Sequence, residues 1–224
     1  MIPVKYMLLS FGDIRFSAFE IPKLRGYFAA RFPSEHLFHN HLPSVAQSYK
    51  YPLIQYRMID RCPALLGIGE GIDVMKRIFL QVDELRIGKE VYAVNDLSVS
   101  LMEEPLGQCI EFRSYRFASP WMALNQENYR EFVKLNTIQQ KQRLKQILRG
   151  NLLTLSKGFG YTIPDFDAVE LDGWFKPVER NFHNIPMQCF TGEFTVNFMI
   201  PDQLGLGKQI ARGFGVIEKQ KEER

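Results

Sequence analysis

The sequence predicts an α+β protein built from two ferredoxin-like domains in tandem, each with the order strand, helix, strand, strand, helix, strand. Three observations predict this fold class. The first half of the chain contains six elements in that order, a charged stretch with proline and glycine follows, and the second half continues as a strand, a long helical region and further strands. A chain of 224 residues is long enough for two domains of about 100 residues each.

The first predicted domain spans residues 1–104 and begins with a strand at residues 4–11, where apolar and β-favouring residues mix. A helix follows at Ile21 and Pro22, because proline is tolerated in the first turn of a helix. Apolar residues then recur one turn apart and form its predicted buried face. These residues are Leu24, Phe28 and Phe32.

The remaining elements of this domain follow from local patterns. Gly69 and Gly71 interrupt an apolar segment, after which apolar residues recur at helical spacing. In order, the elements are a loop at 32–44, a strand at 51–60, a turn at 60–63, a strand at 64–68, a helix from Ile72 to about Val82 and one extended stretch at 89–103.

The second predicted domain spans residues 105–224, after a predicted linker at residues 103–107 that combines charges, proline and glycine. Its order is consistent with a degenerate copy of the first domain. The elements are a strand at 109–120, a helical region at 126–157 with a break at Asn136–Thr137, strands at 168–178 and 187–200, and a closing strand at 213–219. The predicted apolar face of the helical region consists of Leu144, Leu148, Leu152 and Leu155.

The composition excludes several classes of protein. With 46% hydrophobic and 24% charged residues, the chain is neither disordered nor fibrous. No apolar run approaches the roughly 20 residues of a membrane span, and the apolar run near the N-terminus is too short for a secretory signal. Because Cys62, Cys109 and Cys189 lie far apart, we expect no disulfide framework, no close metal pair and a reducing, cytoplasmic setting.

Basic residues are concentrated in the helical region of the second half. Residues 126–157 contain seven Lys and Arg against two Glu, in a chain with 28 basic and 25 acidic residues. A basic helix face suits the backbone of a polyanion. The alternative is that several of these lysines lie on an ordinary solvated face.

Residues 36–56 carry the densest chemical signal in the chain. Three of the four histidines lie here, at His36, His39 and His41. Histidine exchanges a proton near neutral pH because its ordinary pKa is about 6.5. If the segment is extended, His39 and His41 point to the same side and can act as acid and base on one phosphodiester.

Tyr49 and Lys50 follow in the same segment and complete the candidate catalytic group. Tyr49 can orient a group or donate a proton, and Lys50 can offset negative charge on a pentacoordinate phosphorus. Three other interpretations stay open. The segment can be a solvated loop, Tyr51 and Tyr56 can be core residues of a strand, and three closely spaced histidines can bind zinc.

A second signal lies at residues 201–219, where glycines flank basic side chains and one aromatic ring. Glycine lets a backbone approach a ligand closely and present its N–H groups to phosphate oxygens. The segment is not a nucleotide-binding P-loop, because its lysine is not followed by serine or threonine. The alternative is a glycine-rich hairpin between the last two strands. The candidate binding residues are Gly205, Gly207, Lys208, Arg212, Gly213, Phe214 and Gly215.

The chain resembles the CRISPR-associated endoribonucleases of the RAMP superfamily that cut the repeat in precursor guide RNA, and their "b" subtype in particular. The resemblance rests on HLFHNHLPSVAQSYKYPLIQY at 36–56, YRFASPWMALNQENY at 115–129 and IPDQLGLGKQIARGFGVI at 200–217. It implies RAMP-type tandem ferredoxin-like domains and cleavage that needs neither a metal nor a cofactor. The implied partner is CRISPR repeat RNA, and the family also forms homodimers and joins CRISPR effector complexes.

The resemblance also implies a mechanism, in which the 2′-hydroxyl of the RNA attacks the neighbouring phosphate and leaves a 2′,3′-cyclic phosphate. His39, His41 and Tyr49 fall where this subtype keeps its catalytic histidines and tyrosine, and His36 or Lys50 can substitute for one of them. The segment from Gly205 to Gly215 falls where the family contacts the RNA backbone. His183 has no counterpart in the family and is predicted to lie in a surface loop.

Two alternatives to this enzyme stay open. The first is a non-catalytic RAMP subunit that binds and holds guide RNA through the glycine-rich segment and the basic helix. The second is a zinc-dependent nuclease that uses the histidine cluster, which requires bound metal and loses activity in a chelator.

Overall fold

A computed structural model describes residues 1–39, 51–182 and 185–220, apart from the side chains of residues 18, 39 and 182. The chain divides into two compact units. The N-terminal unit consists of Val4–Glu103 together with Ala211–Gly213, and the C-terminal unit of Met1–Pro3, Glu104–Ile210 and Phe214–Arg224. Within the described ranges, no helix is both long enough and apolar enough to cross a membrane.

The N-terminal unit contains the six expected elements and a short added hairpin. Its elements are β1 (Ile2–Phe11), α1 (Ile21–Arg31), α2 (His36–His39), β2 (Ile54–Ile59), β3 (Cys62–Ile68), α3 (Glu70–Ile78), β4 (Glu84–Ile87), β5 (Glu90–Ala93) and the beginning of β6 (Leu97–Phe117). The order of the four sheet strands is β2-β3-β1-β6, and the pairs β1–β3 and β2–β3 are antiparallel. This order confirms the ferredoxin-like prediction.

The core of the N-terminal unit lies where α1 and α3 cover one face of the sheet. Leu24 and Phe28 of α1 are fully buried, and Phe32 is 8% exposed, as the sequence predicts. The ring of Phe28 lies 6.3 Å from that of Phe11 in β1 and 6.0 Å from that of Tyr56 in β2. These aromatic contacts fix α1 on the sheet.

Two predictions near the middle of the chain are wrong. The stretch at 89–103 is not continuous, because β5 pairs with β4 in a hairpin and the next strand begins only at Leu97. The segment 103–107 is not an irregular linker, because β6 runs through it for 21 residues. Gly107 has a φ of +140°, and a Cβ at this position would lie 2.8 Å from Cζ of Tyr161. This glycine therefore permits a close packing contact rather than a turn.

The C-terminal unit repeats the strand order of the N-terminal unit. Its elements are the rest of β6, α4 (Gln126–Phe132), α5 (Thr137–Gly158), β7 (Leu171–Phe182), β8 (Ile185–Met199) and β9 (Ile217–Lys219). The strands lie in the order β9-β6-β8-β7, all antiparallel. The predicted break before α5 is confirmed: Asn136 caps the helix, accepting a bond from the Gln139 N–H at 3.0 Å, and the Gln139 side chain accepts one from the Asn136 N–H at 3.1 Å.

The C-terminal unit departs from the ferredoxin-like pattern at its second helix. Between β8 and β9, where that helix is expected, the chain forms only a single 3₁₀ turn at Ile210–Arg212 within the glycine-rich segment. The first helix is retained, and the four predicted leucines of α5 are buried. The second half is thus a ferredoxin-like unit in which a glycine-rich loop replaces one helix.

Candidate nucleic-acid interface

The predicted catalytic segment begins on a short helix that is packed onto α1. Phe38 of α2 is 1% exposed, and its ring lies 5.5 Å from that of Phe28 and 6.0 Å from that of Phe32. His36 is exposed at the start of the same helix. Because Phe38 is held in the core, the chain that follows it starts from a fixed position on the N-terminal unit.

The backbone of His39 is described, but most of the predicted catalytic group is not. His39 is the last residue of α2, so the extended conformation on which its alternation with His41 was based is wrong at this residue. Its side chain, and all of His41, Tyr49 and Lys50, lie outside the described residues. Their catalytic roles therefore stay predictions. His183 lies outside the described residues as well.

An ion pair holds Glu35, the residue that directly precedes α2. Glu35 accepts two hydrogen bonds from Arg77 of α3, at 2.9 Å from Nε and 2.7 Å from Nη2. These bonds hold the pKa of the Glu35 carboxyl below its ordinary value. Since Glu35 directly precedes α2, the pair connects the start of the predicted catalytic segment to α3.

The two tyrosines at the end of that segment are core residues. Tyr51 is 6% exposed and Tyr56 is 1% exposed, which confirms the interpretation that they pack in the interior. The Tyr56 hydroxyl has no hydrogen-bond partner among the described residues, and burial raises its pKa well above the ordinary value. Neither tyrosine is placed to exchange a proton with solvent.

The glycine loop (residues 205–215) is a closed backbone structure in the C-terminal unit, apart from its tip. The N–H of Leu206 donates to Gly215 O at 2.8 Å, and the N–H of Gly215 donates to Pro120 O at 2.9 Å. The N–H of Lys208 donates to Met122 O at 3.0 Å. These three amides are committed to the protein and are not available to phosphate oxygens.

Two glycines of this loop are required by the packing. Gly207 has a φ of +90°, and a Cβ there would lie 2.5 Å from Nε1 of the buried Trp121. Gly215 has a φ of +64° and passes directly against the carbonyl of Leu206. Glycine is the residue that tolerates both conditions. The hairpin interpretation thus explains why these positions are glycine, and their contact with RNA stays a prediction.

The tip of the glycine loop, Ala211–Gly213, belongs to the N-terminal unit. Gly213 has a φ of +83°, and a Cβ on it would lie 3.1 Å from Tyr56 O and 3.2 Å from Cγ2 of Ile21. The tip therefore packs on β2 and on the first residue of α1.

The tip carries Arg212, whose positive charge interacts with that of a second arginine, Arg25. Burial, together with the positive charge of Arg25, lowers the pKa of the half-buried Arg212 guanidinium. Arg25 is itself half-buried on α1. A phosphate stabilises the charged form of such a guanidinium through charge-assisted hydrogen bonds. Arg25 was missed in the sequence, where only the positive charges of α1 (Lys23, Arg25 and Arg31) signal it.

Both candidate segments found in the sequence, residues 36–56 and the glycine loop, have residues that contact α1. Phe38, at the start of the predicted catalytic segment, contacts its second half through Phe28 and Phe32. The loop tip contacts its first residue, Ile21. Both segments therefore border one helix of the N-terminal unit, although they lie far apart in the sequence.

The basic helical region contributes less to the candidate interface than its charge suggests. Lys134 pairs with Glu131 at 2.8 Å, and Lys145 pairs with Asp172 at 2.6 Å. Arg149 donates to Phe166 O at 2.7 Å and covers its ring at 4.9 Å. These three cations are engaged within the C-terminal unit, which favours the interpretation of an ordinary helix face.

Tandem ferredoxin-like units, the second with a glycine-rich loop in place of a helix, define a protein of the RAMP class. Comparison with family models identifies the family within that class. Residues 3–104 match the Cas6b N-terminal domain, and residues 109–220 match the Cas6b C-terminal domain. The chain belongs to the Cas6b family.

Individual relatives agree with this assignment. A solved structure described as the crystal structure of Cas6b is 36% identical, with a TM-score of 0.92 over 98% of this chain and 100% of that one. Another, described as CRISPR RNA processing endoribonuclease Cas6b, is 33% identical, with a TM-score of 0.80 over the same shares. An uncharacterised protein of Methanocaldococcus jannaschii is 34% identical over 66% of this chain and 100% of its own length.

Proposed function

We propose that this chain is an endoribonuclease that cleaves CRISPR repeat RNA and so releases guide RNA, without a metal or a cofactor. The observation that carries the proposal is similarity along 98% of the chain to a structure described as a CRISPR RNA processing endoribonuclease. The packing of α2 and of the glycine-loop tip on α1 supports it, because it provides one place at which RNA can be both held and cut.

The proposed reaction is an internal transfer at phosphorus. A base removes the proton of the 2′-hydroxyl, the 2′-oxygen attacks the adjacent phosphorus, and an acid protonates the 5′-oxygen as its bond to phosphorus breaks. The products are a 2′,3′-cyclic phosphate and a 5′-hydroxyl. His39 and His41 take the roles of base and acid, while Tyr49 orients the reacting groups. Lys50 stabilises charge on the phosphorane.

The proposed binding surface uses cations for the phosphates and a ring for a base. Lys208 and Arg212 of the glycine loop contact the RNA backbone, and Phe214 offers a ring for stacking. Arg25 of α1 joins Arg212 because the two positive charges interact within the N-terminal unit. Gly205, Gly207, Gly213 and Gly215 contribute by giving the loop its backbone path and bringing it close to the RNA.

The proposal also covers the oligomeric state of the enzyme, its membership of a complex and its cellular location. The proposal includes a homodimer on RNA and membership of a CRISPR effector complex, both of which the family resemblance implies. The cytoplasm is the compartment in which precursor guide RNA is available. Measuring the molar mass of the protein with and without repeat RNA tests the dimer.

A double variant, His39→Ala with His41→Ala, tests the proposal most simply. In excess chelator, the parent protein should cut the repeat RNA of its own locus, and the variant should bind that RNA but lose at least about a hundredfold in cleavage rate, because it lacks the base and the acid. Mapping of product ends and a binding titration measure the two effects.

His183→Ala is the matched control and should cut at the parental rate. If the parent binds the repeat but never cuts it, the chain is a non-catalytic RAMP subunit and the proposal is wrong. If cutting stops in chelator and returns with added zinc, the chain is a zinc-dependent nuclease and the proposal is wrong.

A further inference from the structure

The C-terminal unit contains a cleft to which the proposed function gives no role. It is an open cleft of about 300 Å³ across β7 and β8. The side chains that matter to the argument are Lys141, Asp172, Trp174, Glu193, Thr195 and Gln220. All of them belong to the C-terminal unit.

The strand register places this cleft on the outer face of the sheet. Asp172 lies opposite Thr195, and Trp174 lies opposite Glu193, so these four side chains share one face. The alternate residue Phe194 points to the other face, where it is 2% exposed and its ring lies 5.4 Å from those of the core residues Tyr115 and Phe117. The cleft is thus a surface feature rather than a gap in the core.

Trp174 is the unusual residue of this face. It is 54% exposed, and it is one of two tryptophans in the chain. The other, Trp121, is fully buried and stacks on Phe117 at 5.1 Å. A single exposed ring is common on a protein surface, but Trp174 also lines a cleft, and aromatic rings on sheet faces stack with unpaired bases of RNA.

The charges beside Trp174 do not suit a phosphate. Lys145 and Lys141 lie 2.6 Å and 3.8 Å from Asp172, and Glu193, which lines the same cleft, balances the second of these two positive charges. The Lys145 contact also lowers the pKa of Asp172 and keeps this group an acceptor at neutral pH.

Glu193, like Asp172, has a basic residue as its neighbour. Its cross-strand neighbour is Arg116, which is itself paired with Glu218. Two carboxylates at an exposed ring, with no excess of cations, favour a neutral group that donates hydrogen bonds.

We propose that this cleft binds one unpaired nucleobase of the RNA substrate, stacked on Trp174 with its amino edge toward Glu193 and Asp172. Adenine, cytosine and guanine carry an exocyclic amino group with two N–H donors, which suits two carboxylates, whereas uracil lacks this group and offers only its ring N3–H. The cleft therefore prefers an amino-bearing base over uracil. This inference rests on the proposed function, since it names a second contact made by the same substrate.

Tryptophan fluorescence tests the proposal, because Trp121 is buried and Trp174 is exposed. Titration of the full chain with short single-stranded oligo(A) and oligo(C) should quench the emission, and oligo(U) should need a higher concentration. Trp174→Phe should abolish the quenching while keeping most of the affinity measured by fluorescence anisotropy. Trp174→Ala should weaken binding of oligo(A) about tenfold. Glu193→Ala should narrow the difference between oligo(C) and oligo(U).

Phe19→Ala is the matched control, because Phe19 is another exposed aromatic residue, at 68%, in the N-terminal unit. It should leave quenching and affinity unchanged. Parental affinity in Trp174→Ala, or emission that does not respond to any oligonucleotide, would overturn the proposal. A parent that cuts repeat RNA without quenching overturns this inference alone, and one that quenches without cutting overturns the proposed function alone.

Discussion

At the scale of residues, Arg212 is the most informative side chain of the candidate interface. Burial, together with the charge of Arg25, lowers the pKa of its guanidinium. Phosphate oxygens accept charge-assisted hydrogen bonds from guanidinium groups and favour their charged form. Shifted pKa values are common at binding sites, so both arginines are candidates for phosphate contacts.

Replacing each arginine in turn by alanine tests this interpretation. Both Arg25→Ala and Arg212→Ala should weaken binding of repeat RNA and lower the slope of log affinity against log salt by about one each, because each removes one phosphate contact. Binding titrations over a range of salt concentrations provide the measurement. Arg86→Ala, at an exposed arginine of β4 paired with Glu84, serves as the control. A salt slope unchanged in both variants would remove the two arginines from the interface.

At the scale of elements, α1 and α2 position the predicted catalytic segment. α2 has only four residues and is too short to be stable alone, so tertiary contacts must hold it. Phe38 packs it on α1, and the Glu35–Arg77 pair connects its entrance to α3. Both contacts act on the chain just before His39, which makes Glu35 a positioning residue.

Glu35→Gln should reduce the free energy of unfolding by about 0.5 to 1 kcal/mol at pH 7, a modest value because the pair is partly solvated. The folded-state pKa of Glu35 is lowered, so this stabilisation is complete above the unfolded pKa of about 4.3. It is lost as the pH falls through the folded value. Denaturant unfolding at pH 7 and pH 3 should therefore show a smaller difference in free energy of unfolding between the two proteins in acid.

The same variant should cut repeat RNA more slowly at saturating RNA, while its affinity for RNA stays parental. Arg86→Lys, which keeps the charge of the exposed pair in β4, should change neither property. A difference in stability that is as large at pH 3 as at pH 7, or a parental rate of cutting, would contradict a positioning role for Glu35.

At the scale of the whole molecule, strand and helix order was predictable because both domains follow hydrophobic periodicity. The break before α5 was predictable as well, since Asn136 and Gln139 form a local capping box. The continuity of β6 through residues 103–107 was not predictable, because Pro105 and Gly107 are typical of turns. The close contact of Gly107 with Tyr161 explains the glycine. Long-range contacts of this kind leave no local signal in a sequence.

The candidate site was predictable only in part, because a sequence shows residue types and spacing but not long-range contacts. Residue types and spacing pointed to the histidine segment and the glycine loop. Neither indicated that the charge of Arg25 would act on Arg212, since the two residues are far apart in the chain. Likewise, the periodicity of β7 did not reveal that Trp174 faces solvent, since burial depends on which face of the sheet the helices cover.

The central claim is that the RNA supplies its own nucleophile, and one measurement tests it most directly. Repeat RNA with a single deoxyribose before the cut is incubated with the protein in excess chelator, beside the same RNA with the deoxyribose placed elsewhere. The account predicts that both RNAs bind equally, that only the second is cut, and that its upstream fragment ends in a 2′,3′-cyclic phosphate. Cutting of the first RNA at the same position would contradict the account.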